Sequence, residues 1–278
     1  MSASTATIAE STPPPAVATI ARPTRARAEL GLVLALWQRD LLRFRKDTGR
    51  WVGVVLQPVL LWVVLGTGMG KVFGPDYHRY FFPGLVAMIA LFTAIFATMA
   101  VIEDRQKGFL QQVLVAPGSK TALVVGKVLG VLSIALIQLA LTLPAAPLAG
   151  FDLLAVDWPL FIAAFVLGTT VVTAASFALA WVVSSTHAYH ALMGVLLIPL
   201  WLVSGAVFPL SGTGWLGTLA LANPITYMVD GMRHALDGGA SALGHASSAA
   251  SLGALLAFAA ATLALASLVA RKPVGAPE

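Results

Sequence analysis

The sequence of 278 residues contains no cysteine and very little charge. The absence of cysteine excludes disulfides, thiolate nucleophiles and metal sites built on sulfur. Aspartate, glutamate, lysine and arginine together make up only 10% of the chain, against about a quarter in ordinary soluble domains. With 58% hydrophobic residues and a mean hydropathy of +0.87, the chain has the composition of a membrane protein. A soluble protein could bury one long uncharged helix in its core, but not a series of them.

Ionisable side chains are scarce within the long apolar segments. Proteins driven by ion gradients keep such groups in the bilayer interior, where each costs several kcal/mol. Lys127 lies near one end of such a segment, and we expect it to extend to the lipid headgroups as an interface anchor. Gln57 and Gln138 are polar side chains at depth, and the sequence leaves open whether they line a substrate path or join helices by hydrogen bonds. A proton relay or a sodium site is therefore hard to build from these residues.

The chain also lacks a complete phosphate-binding loop. The stretch "APGSKTA" resembles the end of that motif, but Val113 stands where the motif requires a glycine. Any ATP that drives this protein is therefore expected to bind to another polypeptide. We expect no catalytic residues, no metal ion, no cofactor and no nucleic-acid partner for this chain.

Six apolar segments are long enough to cross a bilayer, whose hydrocarbon core of about 30 Å requires about 20 helical residues. We place the spans at residues 51–70, 82–101, 121–143, 159–183, 191–210 and 248–269. An even number of spans puts both termini on the same side. Of the 17 basic residues, 14 lie on that side and only Lys71, Arg79 and Arg233 on the other, and basic loops stay in the cytoplasm. The sequence thus predicts an all-α integral membrane protein with both termini in the cytoplasm.

The region before the first span divides into two pieces of different composition. Residues 1–28 are small, polar and rich in proline, without the continuous apolar run of a signal peptide, and we expect a disordered cytoplasmic tail there. Residues 29–50 are predicted to form an amphipathic helix on the membrane surface, although a soluble helix packed on a partner would show the same pattern. The apolar residues at helical spacing are Leu30, Val33, Leu34, Trp37, Leu41 and Phe44. Residues 271–278 are expected to form a second, short cytoplasmic tail.

A polar stretch, "IEDRQKGFLQQVLVAPGSKT" at residues 102–121, separates the second span from the third. On a helical wheel one face is polar and the other carries the apolar side chains of Phe109, Leu110, Val113 and Leu114. Pro117 and Gly118 are predicted to end this helix before the next span. We therefore predict a short amphipathic helix within residues 103–118 on the cytoplasmic surface, able to present side chains to a soluble partner. A surface helix without a partner would have the same pattern.

The connection at residues 211–247 is long and mixed in polarity. Its stretch "LANPITYMVDGMRHAL" is predicted to be a short helix, either outside the bilayer or dipping into it where protein covers its backbone. Asp230 and Arg233 in this helix are expected to be a solvated pair. His187 and His190 have a spacing that suits one helical face, but without a third ligand nearby a hydrated cytoplasmic turn is favoured over a metal site.

Tryptophans and glycines give two further expectations about the helices. The motif "GKVLG" at residues 126–130 has small residues four positions apart, which let the third span approach another helix closely. Tryptophans near span ends are expected to anchor the helices at the membrane interface, and they are Trp51, Trp62, Trp158, Trp181, Trp201 and Trp215.

Four motifs, taken in order, resemble those of type-2 ABC exporter permeases, especially the bacterial drug-resistance branch. They are "QPVLLWVVLGTGMG" in the first span, "VIEDRQKGFLQQVLVAPGSKTALVVGKVLG" after the second, "SGAVFPL" from Ser204 and "NPITYMVDGMR" from Asn223. The resemblance extends from Trp51 to the end of the chain. It has one departure, at positions where drug-exporter relatives often carry more acidic or basic residues: Gln106, Lys107, Gln111 and Gln112.

The resemblance implies a six-span permease domain at residues 51–270, paired with a second permease copy and with two ABC-type ATP-binding subunits that hold ATP and magnesium. It implies a coupling helix that sits in a groove of the ATPase, formed by Glu103, Asp104, Arg105, Gly108, Phe109, Leu110, Leu114 and Pro117. The helix before the first span would be the family's connecting helix, with Trp37, Arg39, Leu41, Arg43 and Phe44. An external re-entrant region would include Asn223, Pro224 and Tyr227.

The function that the resemblance implies is ATP-driven export, across the cell inner membrane, of a hydrophobic or amphipathic substrate that is drug-like or lipid-like. From polarity and depth we expect a mostly apolar path lined by Gln57, Trp62, Phe92, Phe96, Gln138 and Trp201. Two alternatives stay open: export of a lipid-linked glycan or polysaccharide, and a structural membrane protein that transports nothing. An associated P-loop ATPase would favour export over the structural alternative.

Overall fold

The computed structural model describes residues 24–46, 48–115, 118–210, 214–237 and 247–272. Within these ranges the chain is helical and contains no strand, which confirms the predicted all-α class. Two short 3₁₀ turns occur at Leu143–Ala145 and Pro147–Ala149. The α-helices in chain order are α1 (Arg25–Lys46), α2 (Thr48–Phe73), α3 (Tyr77–Gln106), α4 (Phe109–Val115), α5 (Lys120–Thr142), α6 (Trp158–Val182), α7 (Thr186–Leu202), α8 (Trp215–Leu221), α9 (Pro224–Asp237) and α10 (Ser248–Val269).

Side-chain caps mark where several of these helices begin. Ser119 accepts a hydrogen bond from a backbone N–H in the first turn of α5, and Asp157 does the same for α6. Ser185 and Ser247 act in the same way before α7 and α10. Each cap satisfies a backbone donor that the first turn of a helix leaves free, so these boundaries follow from the local sequence.

Five helical stretches are long and apolar enough to cross a membrane. The remaining predicted span, residues 191–210, corresponds to α7, whose 17 residues make a helix about 26 Å long. The chain is therefore a multi-pass membrane protein, while the six-span layout stays a prediction. The five stretches, which coincide with the other five predicted spans, are Leu56–Phe73, Tyr77–Gln106, Lys120–Ala145, Trp158–Val182 and Ser248–Val269.

α7 stops before the predicted end of its span, and the backbone then turns at Gly205. This residue has a φ of 75°, in the left-handed region that favours glycine. Ser204 and Ala206 on either side of it are buried. A Cβ atom at Gly84 of α3 would come within 2.7 Å of the carbonyl oxygen of Ala206, so the turn rests directly on the α3 backbone. The last part of the predicted span is thus a buried turn instead of a helix.

α3 is the central helix of the bundle. All its residues from 81 to 91 are buried, and it contacts α2, α5, α6, α7 and α9. In its most apolar stretch 78% of the residues are buried, against 17% in the corresponding stretches of α2 and α10. α2 and α10 are therefore outer walls of the bundle, and their exposed apolar side chains are suited to contact lipid.

Three tryptophans lie in the core instead of at the membrane interface. The exposed fractions of Trp62, Trp181 and Trp201 are 4%, 4% and 7%. The indole N–H of Trp62 donates to the carbonyl of His78, and that of Trp201 donates to the carbonyl of Gly84. The predicted anchor role is wrong for these three, and for two of them a backbone carbonyl replaces the lipid headgroup as hydrogen-bond partner.

Candidate coupling and transport site

α1 packs lengthwise against α5. The indole N–H of Trp37 in α1 donates a 2.9 Å hydrogen bond to the hydroxyl of Ser133 in α5. A Cβ atom at Gly126 would lie 3.1 Å from the carbonyl oxygen of Val33, and one at Gly130 would lie 2.9 Å from an α1 carboxylate. The helix that the "GKVLG" motif allows to approach is therefore α1. Among the residues predicted for the connecting helix, Phe44 is buried and the half-buried ones are Trp37, Arg39, Leu41 and Arg43.

A buried ion pair joins the same two helices. The ammonium group of Lys127 donates a 2.9 Å hydrogen bond to the carboxylate of Asp40, and the two side chains are 9% and 8% exposed. The predicted role of Lys127 as an interface anchor is wrong, because Asp40 satisfies its charge inside the protein. Removing either partner would leave the other charge buried and unpaired, which is strongly destabilising. The pair therefore fixes the register of α1 on α5.

Arginines of α1 hold the C-terminal end of α3. Two guanidinium nitrogens of Arg39 donate to the carboxylate of Asp104, at 2.7 and 2.5 Å, and Arg43 approaches the same carboxylate at 3.4 Å. The hydrogen bonds to Asp104 raise the pKa of Arg39 above its ordinary value, because they favour the charged guanidinium. Glu103 lies 4.0 Å from Arg43, and its side chain is 33% exposed. Asp104 is therefore the acid that ties α3 to α1.

The predicted coupling segment forms two helices, not one. Glu103, Asp104 and Arg105 belong to the last turn of α3, and α4 begins at Phe109. Between them Gly108 has a φ of 72°, a left-handed conformation that favours glycine and lets the chain change direction. α3 has 30 residues and is about 45 Å long, which exceeds a hydrocarbon core of about 30 Å. Its charged last turn therefore has room to stand outside the bilayer.

α4 is a helix of seven residues that is fixed to its own chain on one face. The guanidinium of Arg39 lies 3.9 Å from the ring centre of Phe109, a cation–π contact that places α4 beside α1. Leu110 is buried, and Leu114 packs against the same cluster of apolar side chains. Pro117, the last residue of the predicted segment, lies outside the described residues. The exposed face of α4, which is free to meet another protein, carries Gln111, Gln112 and Val115.

Arg105 ties α3 to the end of α6. Its guanidinium donates to the backbone carbonyls of Trp181, at 2.9 Å, and of Val183. The last carbonyls of an α-helix lack partners within the helix, and the guanidinium group has several donors in one plane to offer them. The neighbouring Gln106 donates to the carbonyl of Ser184 at 3.3 Å. No sequence pattern indicates this contact, because backbone acceptors are the same for every residue type.

A cavity of about 300 Å³ lies between α2, α3 and α7. The rings of Phe92 and Phe96 stack with centroids 6.2 Å apart, and the imidazole of His190 meets Phe96 edge-on at 5.6 Å. Most of the remaining lining is aliphatic or methionine side chains. A mostly apolar wall with a few polar groups is usual for small-molecule sites, and this volume is at their lower end. Four of the six residues predicted for a substrate path line the cavity: Gln57, Phe92, Phe96 and Trp201.

The other two predicted path residues lie elsewhere. Trp62 is buried in the core and is not part of the cavity wall. Gln138 is fully buried, and its amide is hydrogen-bonded to the hydroxyl of Thr93 across the contact between α5 and α3. Gln138 therefore has the helix-joining role. His187 and His190, for which a hydrated turn was predicted, belong to the first turns of α7.

The motif at Asn223, which was predicted to be external, starts with a helix cap. The side-chain amide of Asn223 donates to the carbonyl of Leu200 at 2.6 Å, and its oxygen accepts from the backbone N–H of Ile225. Pro224 is the first residue of α9, where a missing N–H leaves no hydrogen bond unmade. The hydroxyl of Tyr227 donates back to the carbonyl that ends α8, at 2.8 Å. These contacts join α7, α8 and α9 into one corner.

α9 lies inside the protein, against α6 and α10. A Cβ atom at Gly168 of α6 would overlap the side chain of Met228, and one at Gly231 would lie 2.8 Å from the side chain of Ala164. Gly168 is about 15 Å along α6 from its N-terminal end. α9 therefore reaches the depth of the membrane-crossing part of α6.

The charged residues of α9 are buried. Asp230 is 0% exposed and Arg233 is 6% exposed, so their predicted role as a solvated pair is wrong. Arg233 donates to the carbonyl of Gly205 at 2.7 Å and stacks on the ring of Tyr80 at 4.1 Å. Its other terminal nitrogen lies 4.0 Å from Asp230. A buried arginine thus holds α9 against α3 and against the turn that follows α7.

Comparison with known proteins places these features in a family. The family model described as "ABC-2 type transporter" matches residues 31–236, from the first half of α1 to the last turn of α9. The match includes α1, α4, the three helices of the cavity and the external motif. Every part of the site described above thus lies within it.

Individual relatives are similar over most of their length. A protein of Porphyra purpurea named "Putative transport permease ycf38" is 29% identical over 210 residues, which cover 72% of this chain and 72% of the relative. A protein of the same name from Cyanophora paradoxa is 26% identical over 218 residues, again 72% of each chain. The "Daunorubicin resistance ABC transporter permease protein DrrB1" of Streptomyces coeruleorubidus is 24% identical over 226 residues, 78% of each chain.

Proposed function

The chain belongs to the ABC-2 type transporter family, and on that premise we propose that it is the permease subunit of an ATP-driven exporter. The complex that we propose contains two copies of this chain and two ABC-type ATP-binding subunits, which hold ATP and magnesium. The observation that carries the proposal is the attachment of α4, whose apolar face is fixed to its own chain while its amide-rich face is exposed.

In this proposal α4 is the coupling helix. Closure of the ATPase subunits pushes on its exposed face. Arg39 passes the push onward, because it contacts both Phe109 of α4 and Asp104 of α3. The ion pair between Asp40 and Lys127 passes it to α5. A displacement of α4 therefore moves the ends of α1, α3 and α5 together.

α3 connects the coupling end to the cavity. Asp104 is held by α1, and Phe96, which lines the cavity, lies about 12 Å away along the same helix. A tilt of the α3 end therefore changes the shape of the cavity wall. To shift a two-state equilibrium from 1:99 to 99:1, a ligand must favour one state by about 5.5 kcal/mol. ATP bound between the partner subunits would supply this preference.

The cargo that we propose is hydrophobic or amphipathic. Stacked Phe92 and Phe96 offer an apolar surface, and Gln57 and His190 offer polar contacts at the same cavity. The name of the Streptomyces relative refers to daunorubicin resistance, which supports a drug-like molecule as one form of such cargo. A lipid-like molecule has the same combination of properties.

The location that we propose is the cell inner membrane, with both termini and α4 in the cytoplasm. The excess of basic residues supports this orientation. The fold adds a second argument, since α1, the end of α3 and the start of α5 contact one another. The ammonium group of Lys120 at the start of α5 also contacts the carbonyl of Arg271 after α10, at 3.5 Å. The segments with most of the basic residues therefore gather at one end of the bundle.

The first test is purification of the native complex from membranes through a tag on this chain. We expect an ABC-type ATPase to co-purify in equal amount with the chain. Failure of any such ATPase to appear, in mild detergent and after cross-linking in the membrane, would contradict the proposal. Because the chain has no cysteine, a Gln112→Cys variant also reports orientation. An impermeant maleimide is expected to label it in inverted membrane vesicles and not in intact cells.

The second test is coupling in proteoliposomes. Gly108→Asp is expected to abolish cargo stimulation of ATP hydrolysis, because a non-glycine residue with φ of 72° strains the turn before α4. Lys107→Asp is the matched control, since it adds the same acid one position earlier, on a side chain that is 68% exposed. Equal stimulation in both variants and in the unchanged protein would rule out α4 as the coupling helix. If a polyprenyl-linked glycan stimulated ATP hydrolysis more than any apolar amphiphile, the cargo would be a lipid-linked glycan instead of the cargo proposed here.

A further inference from the structure

A small polar cleft lies where α1, α3 and α5 meet. Its volume is about 30 Å³, which is room for about two water-sized oxygen atoms. Phe96 belongs both to this cleft and to the larger apolar cavity. The polar side chains of the cleft are Asp40, Arg43, Thr93, Lys127 and Gln138.

Arg43 is the base of this cleft whose charge is least compensated. Lys127 has Asp40 at 2.9 Å, and Asp104 already receives two hydrogen bonds from Arg39. Among the described residues, Arg43 has the longer contacts alone, 3.4 Å to Asp104 and 4.0 Å to a second carboxylate. Its Nη1 atom is buried and has no hydrogen-bond partner among the described residues. A buried guanidinium N–H without an acceptor is costly, so the cleft suits a ligand that brings one.

Gln138 provides a second open position. One end of its fully buried amide is bonded to Thr93, and the other has no partner in the described part of the chain. The amide oxygen accepts from the hydroxyl of Thr93, and the atom without a partner among the described residues is Nε2, whose N–H groups can donate to a ligand oxygen.

The rest of the cleft wall is apolar. Phe44, Phe96 and Ile134 contribute to it. The side chain of Arg43 is 33% exposed, so the cleft can be reached from the protein surface. Elsewhere on the exposed side of α1 the exposed fractions of three leucines are 59%, 44% and 55%, and these are Leu30, Leu34 and Leu42. A dissolved anion gains nothing from such a wall, whereas the acyl chain of a lipid does.

We infer that this cleft binds an oxygen of the phosphate or carboxylate group of an anionic membrane amphiphile. Arg43 donates the main hydrogen bond, Gln138 provides the second polar contact, and the acyl chain lies along Phe44 and the exposed side of α1. Because the charged end of α3 stands at the same level, the amphiphile comes from the leaflet on the α4 side. The inference concerns binding to this chain alone and does not depend on ATP-driven export.

Native mass spectrometry of the full-length chain in detergent tests the inference, with added phosphatidylglycerol as the probe. Arg43→Gln is expected to weaken binding about tenfold, the effect of one lost charge-assisted hydrogen bond. Gln138→Leu is expected to weaken it by a smaller factor. Arg45→Gln is the matched control, because it removes the same charge from an exposed position of the same helix. Its effect is expected to stay below about twofold, the scale of an exposed charge.

Two further probes separate the sources of the acceptor oxygen. Phosphatidylcholine carries the same phosphate without net charge, and equal binding of it would overturn the requirement for an anionic amphiphile. Inorganic phosphate that binds alone and displaces the lipid would show a site for a dissolved anion instead. Equal losses of lipid binding in Arg43→Gln and Arg45→Gln would show that binding depends on general surface charge and not on this cleft. Arg43→Lys keeps the charge, so a folded Arg43→Lys variant that binds like the unchanged protein would remove the specific role of the guanidinium.

Discussion

The two ends of the helix bundle hold buried charge in different ways. At the end that carries α4, ion pairs join residues far apart in the sequence: Arg39 and Asp104 are 65 positions apart, and Asp40 and Lys127 are 87. At the opposite end the charged pair lies within α9, three residues apart, and Arg233 reaches other helices through backbone carbonyls. The first arrangement links helices side chain to side chain, and the second anchors one helix to the backbone of its neighbours.

The arginine side chains at the two ends also differ in their exposure to water. The side chains of Arg39 and Arg43 are 28% and 33% exposed, so water can take over their hydrogen bonds when the helices shift. The side chains of Arg233 and Asp230 are 7% and 0% exposed, so water cannot replace the contacts that a shift of either residue would break. We therefore expect the α4 end to move more readily than the α9 end, and the two are called the moving end and the fixed frame below.

The largest effect is expected from breaking the fixed frame. Arg233→Leu leaves Asp230 buried without its arginine, and loss of one partner of a buried pair costs about 3–5 kcal/mol. We expect a large fall in the thermal unfolding temperature and in the yield of folded protein, measured by tryptophan fluorescence in detergent. Lys71→Leu, at an exposed position, is the control and should leave both unchanged. If Arg233→Leu kept its normal stability and lost coupling instead, the α9 end would be a moving part and not a fixed frame.

A smaller loss of stability but a specific loss of coupling is expected at the moving end. Asp104→Asn removes the negative charge and one of the two oxygens that accept three arginine hydrogen bonds, each worth about 1.5–3 kcal/mol when it is charge-assisted, less the share that water restores. We expect cargo-stimulated ATP hydrolysis to fall about tenfold, within the usual range of coupling energies. The unfolding temperature should change little.

Charge reversal makes this prediction sharper. The double variant Arg39→Asp with Asp104→Arg restores an opposite-charge pair across the same contact, and it is expected to recover part of the coupling that each single variant loses. If the double variant lost as much coupling as the two single losses added together, Arg39 and Asp104 would not act through each other.

A moderate effect is expected where α1 touches α5. The Cβ atom of Gly130→Ala would lie 2.9 Å from the carboxylate of Asp40, so α1 must shift, at a cost of about 1–3 kcal/mol. Gly253→Ala adds the same methyl group where nothing lies within 4 Å, and it should be neutral or stabilising. Equal unfolding temperatures for both variants would show that the contact between α1 and α5 is not tight.

The smallest effect is expected from the exposed acid beside Asp104. Among the described residues Glu103 has ion-pair partners at 3.8 and 4.0 Å, and surface pairs of this kind contribute about 0–1 kcal/mol. Glu103→Gln should therefore change the free energy of unfolding by less than about 0.5 kcal/mol, and added salt should remove the difference. An effect of Glu103→Gln as large as that of Asp104→Asn would show that the two acids share the role.

The pattern of apolar residues was a good guide wherever a helix is long and its neighbours are apolar. Five spans were predicted from the local sequence, and the caps at Ser119 and Asp157 also depend on local sequence alone. Phe92 and Phe96, predicted for a substrate path, line the cavity, and the path itself stays a prediction. The prediction for α7 was too long at its C-terminal end, because the turn at Gly205 is stabilised by the α3 backbone and not by its own sequence.

Polar residues were the ones misplaced. Lys127 was expected at the headgroups and Arg233 in water, yet both are buried beside partners that other parts of the chain provide. The break at Gly108 was also missed, since a helical wheel continues across a glycine whose φ it does not show. For the two bases the deciding contact lies outside the local sequence.

Composition and periodicity by themselves determined that this chain is helical and built for a membrane, because apolar length and capping act within one helix. Tertiary structure alone decided which acid meets which base, which helix packs against the glycines of α5 and where the cavity lies. The physical reason is that the energy of a buried charge or of a close helix contact depends on its partner, and the partner is chosen only when the helices assemble.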